Sequence, residues 1–131
     1  MNGDRQRRRS TSGFTLVELL VVMLIIGLLL SIAVPRYYRT LQHARETVLK
    51  QDLLILREAI DKHVADLNQY PETLGALVEK RYVKAIPEDP FTRSSESWIP
   101  VASEEPERPG IRDIHSGAAD RGADGTEVAT W

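Results

Sequence analysis

The chain has 131 residues, with 17 Lys and Arg against 19 Asp and Glu, and it has no cysteine. This length predicts one domain, and the lack of cysteine excludes disulfides, cysteine-ligated zinc and a cysteine nucleophile. The formal net charge of −2 gives no reason to expect nucleic-acid binding. The charge is uneven, because residues 1–13 carry four Arg against one Asp, a net +3, which leaves −5 on the rest.

An apolar run follows this basic segment. Residues 14–34 contain one charged side chain, Glu18. As a helix the run is about 32 Å long, enough to cross a hydrocarbon core of about 30 Å. Pro35 and the basic, aromatic residues 36–39 come next, and Tyr and Arg suit the headgroup region of a bilayer. We therefore predict a transmembrane helix over residues 14–35.

The apolar pattern then becomes that of a helix with one buried face. Apolar residues recur at steps of three and four, with charged residues between them. The predicted buried stripe consists of Leu49, Leu53, Leu56, Ile60, Val64 and Leu67. A proline is tolerated within a membrane helix, so we predict one helix from about Phe14 to about Asn68, amphipathic over 36–68. Tyr70-Pro71 ends it.

The rest of the chain predicts small elements and a loop-rich end. Thr73 is a candidate N-cap for a short helix over about 74–82. Strands are predicted at 98–102 and 111–115, joined by an acidic, proline-rich loop. Residues 116–131 are rich in Gly and Asp and contribute little to a core. The predicted class is α+β, with the stripe of the long helix covered by a small sheet.

The junction between the basic segment and the apolar run allows three interpretations. The first is a cleaved secretory signal, for which residues 31–33 offer a small-x-small cleavage site. The second is a plain single-pass anchor. Neither explains a carboxylate inside the apolar run, where a charge is costly. The third interpretation rests on the junction itself, which reads Gly13-Phe14-Thr15-Leu16-Val17-Glu18.

This junction resembles the N-terminal signal of type IV pilins and pseudopilins. The resemblance implies that a prepilin peptidase cuts between Gly13 and Phe14, removes residues 1–13 and methylates the new N-terminal Phe14. The apolar segment is retained and forms the core of a filament. The resemblance also implies a role for Glu18 in assembly. A buried carboxylate needs a partner, and the amine of a neighbouring copy's Phe14 can provide one.

Three later segments resemble the G-type major pseudopilins of type II secretion systems. They are Asn68–Pro71, Tyr82–Phe91 and Asp113–Asp120. The resemblance implies a type IV pilin-like fold, a long helix packed on a small antiparallel sheet. It also implies a structural subunit, not an enzyme, that sits as a single-pass protein in the bacterial inner membrane with residues 36–131 in the periplasm.

The implied partners are further copies of the chain in a homopolymeric filament, the prepilin peptidase, minor pseudopilins, the inner-membrane assembly platform and the membrane. The filament would help to export folded proteins. Two alternatives stay open. One is a type IV pilin or minor pilin used in adhesion, motility or DNA uptake. The other is a membrane-anchored periplasmic binding domain that never polymerises.

The family resemblance also implies a calcium ion in the C-terminal loop, since a cysteine-free loop needs another staple. The implied oxygen ligands come from Ser116, the carbonyl of Gly117, Asp120 and Asp124. The sequence departs from the family here, because the two aspartates are only four positions apart. The alternative is that these Asp and Gly residues form turns and bind no metal.

Overall fold

The structure, a computed structural model, describes residues 12–131. Residues 1–11, which make up most of the predicted leader, lie outside the described residues. The chain forms two compact units, one ending at Tyr38 and the other spanning Arg39–Trp131. Helix α1, Leu16–Leu67, confirms the predicted long helix, with Pro35 inside it. It ends where Asn68 adopts a positive φ of 54°, a conformation that Asn tolerates better than most residues.

In the described part of the first unit, no side chain is buried. Every residue from 12 to 40 is exposed, including the apolar ones. Among the described residues, α1 is the one helix long and apolar enough to cross a membrane. A single chain therefore leaves a large apolar surface uncovered, and such a surface calls for lipid or for neighbouring protein.

The core of the second unit is built on the predicted stripe of α1. Leu49, Leu53, Leu56 and Ile60 are all at most 2% exposed, as predicted. Two clusters of buried side chains share this stripe, one around Trp98, Ile114 and Val128, the other around Leu77, Val83 and Ile111. The small β-sheet thus packs against the second half of α1, which confirms the α+β class.

The stripe departs from prediction in its last turn. Leu67 is 43% exposed, so its predicted burial is wrong, and His63 is buried instead at 3% exposure. The His63 ring packs against Tyr82, with centroids 5.5 Å apart, and its Nδ1 lies 2.7 Å from the carbonyl oxygen of Gln69. A polar ring is acceptable in a core when such a partner is present. Leu67 is the last residue of α1, and the chain bends directly after it at Asn68.

Two short elements follow. Helix α2, Leu74–Glu79, begins as predicted at Thr73, whose hydroxyl accepts a hydrogen bond from the amide of Ala76 at 3.2 Å. It ends three residues before the predicted Tyr82, because Arg81 has a left-handed φ of 64°. Residues up to Trp98 then form turns that lead to the sheet.

The sheet has two antiparallel strands, β1 at Ile99–Ala102 and β2 at Ile111–His115. Ile99 pairs with His115, and the register shifts between Val101 and Ala102. Trp98 was predicted within the strand but lies just before it, buried in the core. Its indole N–H donates to the carbonyl of Pro87 at 2.8 Å, so this residue joins the turn region to the core.

Gly117 lies against the backbone of Ser97, and this close approach leads to a testable prediction. A Cβ at position 117 would stand 2.1 Å from the carbonyl oxygen of Ser97. Gly117→Ala should therefore lower the free energy of unfolding by about 3 kcal/mol, as overpacking against backbone does. Denaturant titration of the full chain in detergent measures the change. Gly75→Ala, whose Cβ would meet nothing closer than 3.6 Å, is the matched control and should not destabilise. Equal stability of the two variants would contradict the prediction.

Candidate functional site

The predicted cleavage bond lies in a short exposed segment ahead of α1. Residues 12–15 have no regular secondary structure, and Phe14 is 90% exposed. Beyond its chain neighbours, a Cβ placed on Gly13 would meet no atom of the described residues within 4 Å. The peptide bond between Gly13 and Phe14 is therefore accessible to another protein. Cleavage there and methylation of Phe14 stay predictions.

Glu18 closes a capping box at the start of α1. Its carboxylate accepts a hydrogen bond from the backbone amide of Thr15 at 2.9 Å, and the Thr15 hydroxyl accepts one from the amide of Glu18 at 3.2 Å. Both bonds satisfy amides that a helix start leaves without partners. The T-x-x-E signature before an apolar run predicts this pair, but our sequence analysis did not use it. The predicted role of Glu18 in assembly stays a prediction.

Ser116, a predicted calcium ligand, lies in a buried polar contact. Both Ser116 and Asp89 are 0% exposed, and the Ser116 hydroxyl donates to the Asp89 carboxylate. The same hydroxyl accepts a bond from the amide of Ala118 at 3.1 Å, while Asp89 also accepts from the amide of Phe91 at 2.8 Å. The hydroxyl thus uses its hydrogen on Asp89 and one of its two lone pairs on Ala118. Sequence analysis gave no role to Asp89, whose partner lies 27 residues away.

The other predicted calcium ligands are exposed. The carbonyl of Asp120 accepts a bond from the amide of Val128 at 3.0 Å. The Asp124 carboxylate accepts from the hydroxyl and amide of Thr126 at 2.7 and 3.0 Å, and these bonds lower the pKa of Asp124. Gly117 is also exposed. Within residues 12–131, no group of three or more His, Cys, Asp or Glu is arranged to hold a metal. Calcium also takes backbone carbonyl and hydroxyl oxygens as ligands, so calcium binding stays a prediction.

Arg57 of α1 joins three separate parts of the second unit. Its guanidinium donates to the Asp113 carboxylate at 2.8 Å, to the carbonyl of Ile114 at 3.1 Å and to the carbonyl of Trp131 at 2.8 Å. His115 also contacts the Trp131 carbonyl, through Nδ1 at 2.8 Å. We call Arg57, Asp113, His115 and Trp131 the Arg57 cluster. It fixes the end of the C-terminal segment against the helix.

The Arg57 cluster perturbs the titration of Asp113. Partial burial on its own would raise the pKa of this carboxyl. The amide of Ile114, the Arg57 guanidinium and the His115 ring act against burial and together hold the pKa of Asp113 below its usual value of 3.8. The ionised form is therefore favoured in the folded chain.

The carboxylate of Asp52, a residue of α1, is perturbed in the opposite direction. Partial burial and the negative charge of Asp89 raise the pKa of Asp52. Asp89, which lies in the buried contact with Ser116, thus repels a negative charge on Asp52. The ionised form of Asp52 is therefore disfavoured in the folded chain.

Comparison with known proteins agrees with this architecture. Residues 8–34 match the family model described as the prokaryotic N-terminal methylation motif. The chain is therefore one of the proteins that carry this motif at the start of a long apolar helix.

Relatives define the family more closely. The chain is 34% identical over 137 aligned residues to type II secretion system core protein G of Pseudomonas aeruginosa, covering 92% of this chain and 89% of that protein. It is 35% identical over 101 residues to the protein of the same name from Aeromonas hydrophila, covering 65% and 71%. No solved structure matches. The chain belongs to the type II secretion system core protein G family, which confirms the predicted resemblance.

Proposed function

We propose that the chain is a pseudopilin, a structural and non-catalytic subunit of a type II secretion system that helps to export folded proteins. A prepilin peptidase would cut it between Gly13 and Phe14 and methylate Phe14. Copies of the mature chain would then polymerise into a filament. Its other partners would be minor pseudopilins and an assembly platform in the inner membrane, with residues 36–131 in the periplasm.

The observation that carries this proposal is the uncovered apolar helix surface. All side chains from Leu16 to Val34 are exposed, whereas the second unit has a closed core of its own. Burying one large apolar side chain stabilises by about 1.5–3 kcal/mol, so a run of this length is driven strongly out of water. Lipid covers such a surface before assembly, and the same helices of neighbouring copies replace the lipid in a filament.

The position of Glu18 suits both the single chain and the chain within a filament. In a single chain, one carboxylate oxygen accepts the amide of Thr15. A carboxylate has two oxygens and room for several donors, so it can also accept a bond from the ammonium of a neighbouring Phe14. In an apolar surrounding that pair satisfies both charges, which lipid alone does not. This supports a role for Glu18 in selecting the position of the next subunit.

Cysteine cross-linking tests the proposed filament, because the chain has no cysteine of its own. Single cysteines placed at exposed positions of residues 16–34 should form dimers between copies only after the chain has been processed and assembled in cells with a secretion system. A cysteine at Glu104, an exposed loop residue of the second unit, serves as the control for random collision. Equal cross-linking at both places would contradict assembly through the apolar helix.

A further inference from the structure

A buried glutamate of α1 reaches the C-terminal loop. Glu46 is 6% exposed, and its carboxylate accepts a hydrogen bond from the backbone amide of Ala123 at 2.6 Å. Gln42, one helical turn earlier, donates its side-chain amide to the carbonyl of Arg121 at 3.1 Å and contacts Glu46 at 3.3 Å. Two side chains on one face of the helix thus bind the backbone of residues 121–123. Glu46 binds an amide and Gln42 binds a carbonyl.

The loop beyond this contact closes on itself. The amide of Gly122 donates to the carbonyl of Thr126 at 2.8 Å, and the amide of Gly125 donates to the carbonyl of Gly122 at 3.0 Å. The indole N–H of Trp131 donates to the hydroxyl of Thr126 at 2.7 Å, and Lys50 of α1 lies 4.5 Å from the centre of the Trp131 ring. Protein groups therefore hold the loop at both of its ends.

The energetics favour Glu46 as the main attachment. A buried carboxylate needs compensation for its lost hydration, and a bond from a backbone amide to an ionised acceptor is stronger than one to a neutral acceptor. Two of the predicted metal ligands already have protein partners: the Ser116 hydroxyl donates to Asp89, and the Asp124 carboxylate accepts from Thr126. We propose that Glu46, assisted by Gln42, fixes the C-terminal loop to α1 without a metal, so that the loop keeps its structure in a solution free of divalent cations.

Hydrogen exchange of the full chain in detergent tests this, measured once with calcium and once with the chelator EGTA. In the unaltered chain, the Ala123 amide should exchange equally slowly in both solutions. In Glu46→Ala it should exchange about ten- to a hundredfold faster in both, as expected for loss of a hydrogen bond to a charged group. Glu58→Ala is the matched control, an exposed glutamate on the same helix whose removal should change nothing. The amide of Ile111, bonded to the Pro71 carbonyl, reports in each sample whether the fold persists.

Two results would overturn the proposal. One is faster exchange of Ala123 on adding EGTA to the unaltered chain, which would make a metal the staple. The other is unchanged exchange in Glu46→Ala. If that variant does not fold, Glu46→Gln gives the same comparison, because an amide oxygen accepts a weaker bond in the same volume. The expected increase is then a few-fold and independent of EGTA, and no increase would equally refute the role of Glu46.

Discussion

A chain carrying Gly13→Leu is expected to stay uncut and to be absent from any filament. The reason lies outside the fold of the chain itself. A Cβ at position 13 would meet no atom of the described residues within 4 Å beyond its chain neighbours, so the substitution should leave the fold of these residues unchanged. It adds bulk beside the bond that the peptidase must approach, and glycine is the residue that permits the closest approach to a backbone. Loss of processing would then report recognition by the peptidase.

Mass spectrometry of the chain isolated from membranes measures this result. The unaltered chain should begin with N-methylated Phe14, and the variant should retain residues 1–13. Gly27→Leu is the matched control, since it makes the same replacement in equally open surroundings within α1 and should be processed normally. A variant at Gly13 that is still cut before Phe14, or an unaltered chain that keeps its leader, would contradict the proposed processing.

Arg57→Ala should cause a large loss of stability in the second unit. The substitution removes three hydrogen bonds at once and leaves the carboxylate of Asp113 without its cation. Hydrogen bonds to a charged group contribute about 1.5–3 kcal/mol each when buried, but Arg57 and Asp113 are about one-third exposed, so solvent screens the pair. A loss of about 2 kcal/mol in the free energy of unfolding is therefore expected.

The pH dependence distinguishes this mechanism from a simple loss of packing. The pKa of Asp113 is lower in the folded chain than its usual 3.8, so its contribution is fully present above that pH and is lost as the pH falls through the folded value. The difference in the free energy of unfolding between Arg57→Ala and the unaltered chain should thus be smaller at low pH than at pH 7. Arg57→Lys keeps the charge but loses the planar guanidinium with its several N–H donors. The stability of this variant should lie between those of Arg57→Ala and the unaltered chain. An effect of Arg57→Ala that does not change with pH would exclude the ion pair as its source.

The long helix and the two strands were predictable because each has a local pattern. The steps of three and four from Leu49 to Ile60 require one buried helix face, and the strand at 111–115 was placed correctly between turn-forming segments. The prediction failed at Leu67 because periodicity describes the helix alone and not the elements that cover it. The core ends one turn earlier, where Tyr82 packs on His63.

The candidate sites also divide into those that a local pattern predicts and those that it does not. Gly13, Phe14 and Glu18 form a motif of adjacent residues, which a sequence shows directly. The contacts that hold the C-terminal segment join residues far apart in the chain. Glu46 meets Ala123 across 77 positions, and Arg57 meets Trp131 across 74. Arg and Glu on an amphipathic helix are usually solvated, so nothing local distinguishes these two from their exposed neighbours.

The exposed apolar half of α1 has a consequence for how the sequence can change over evolution. No side chain from Leu16 to Val34 is buried against the described residues of its own chain. Exchanging one apolar residue for another there leaves no cavity in the folded subunit, unlike a change at Leu53 or Ile60. Selection on the shape of these side chains therefore acts through other molecules, either lipid or further copies. Substitutions tolerated by an isolated chain but not by an assembled one would map the surface that the copies share.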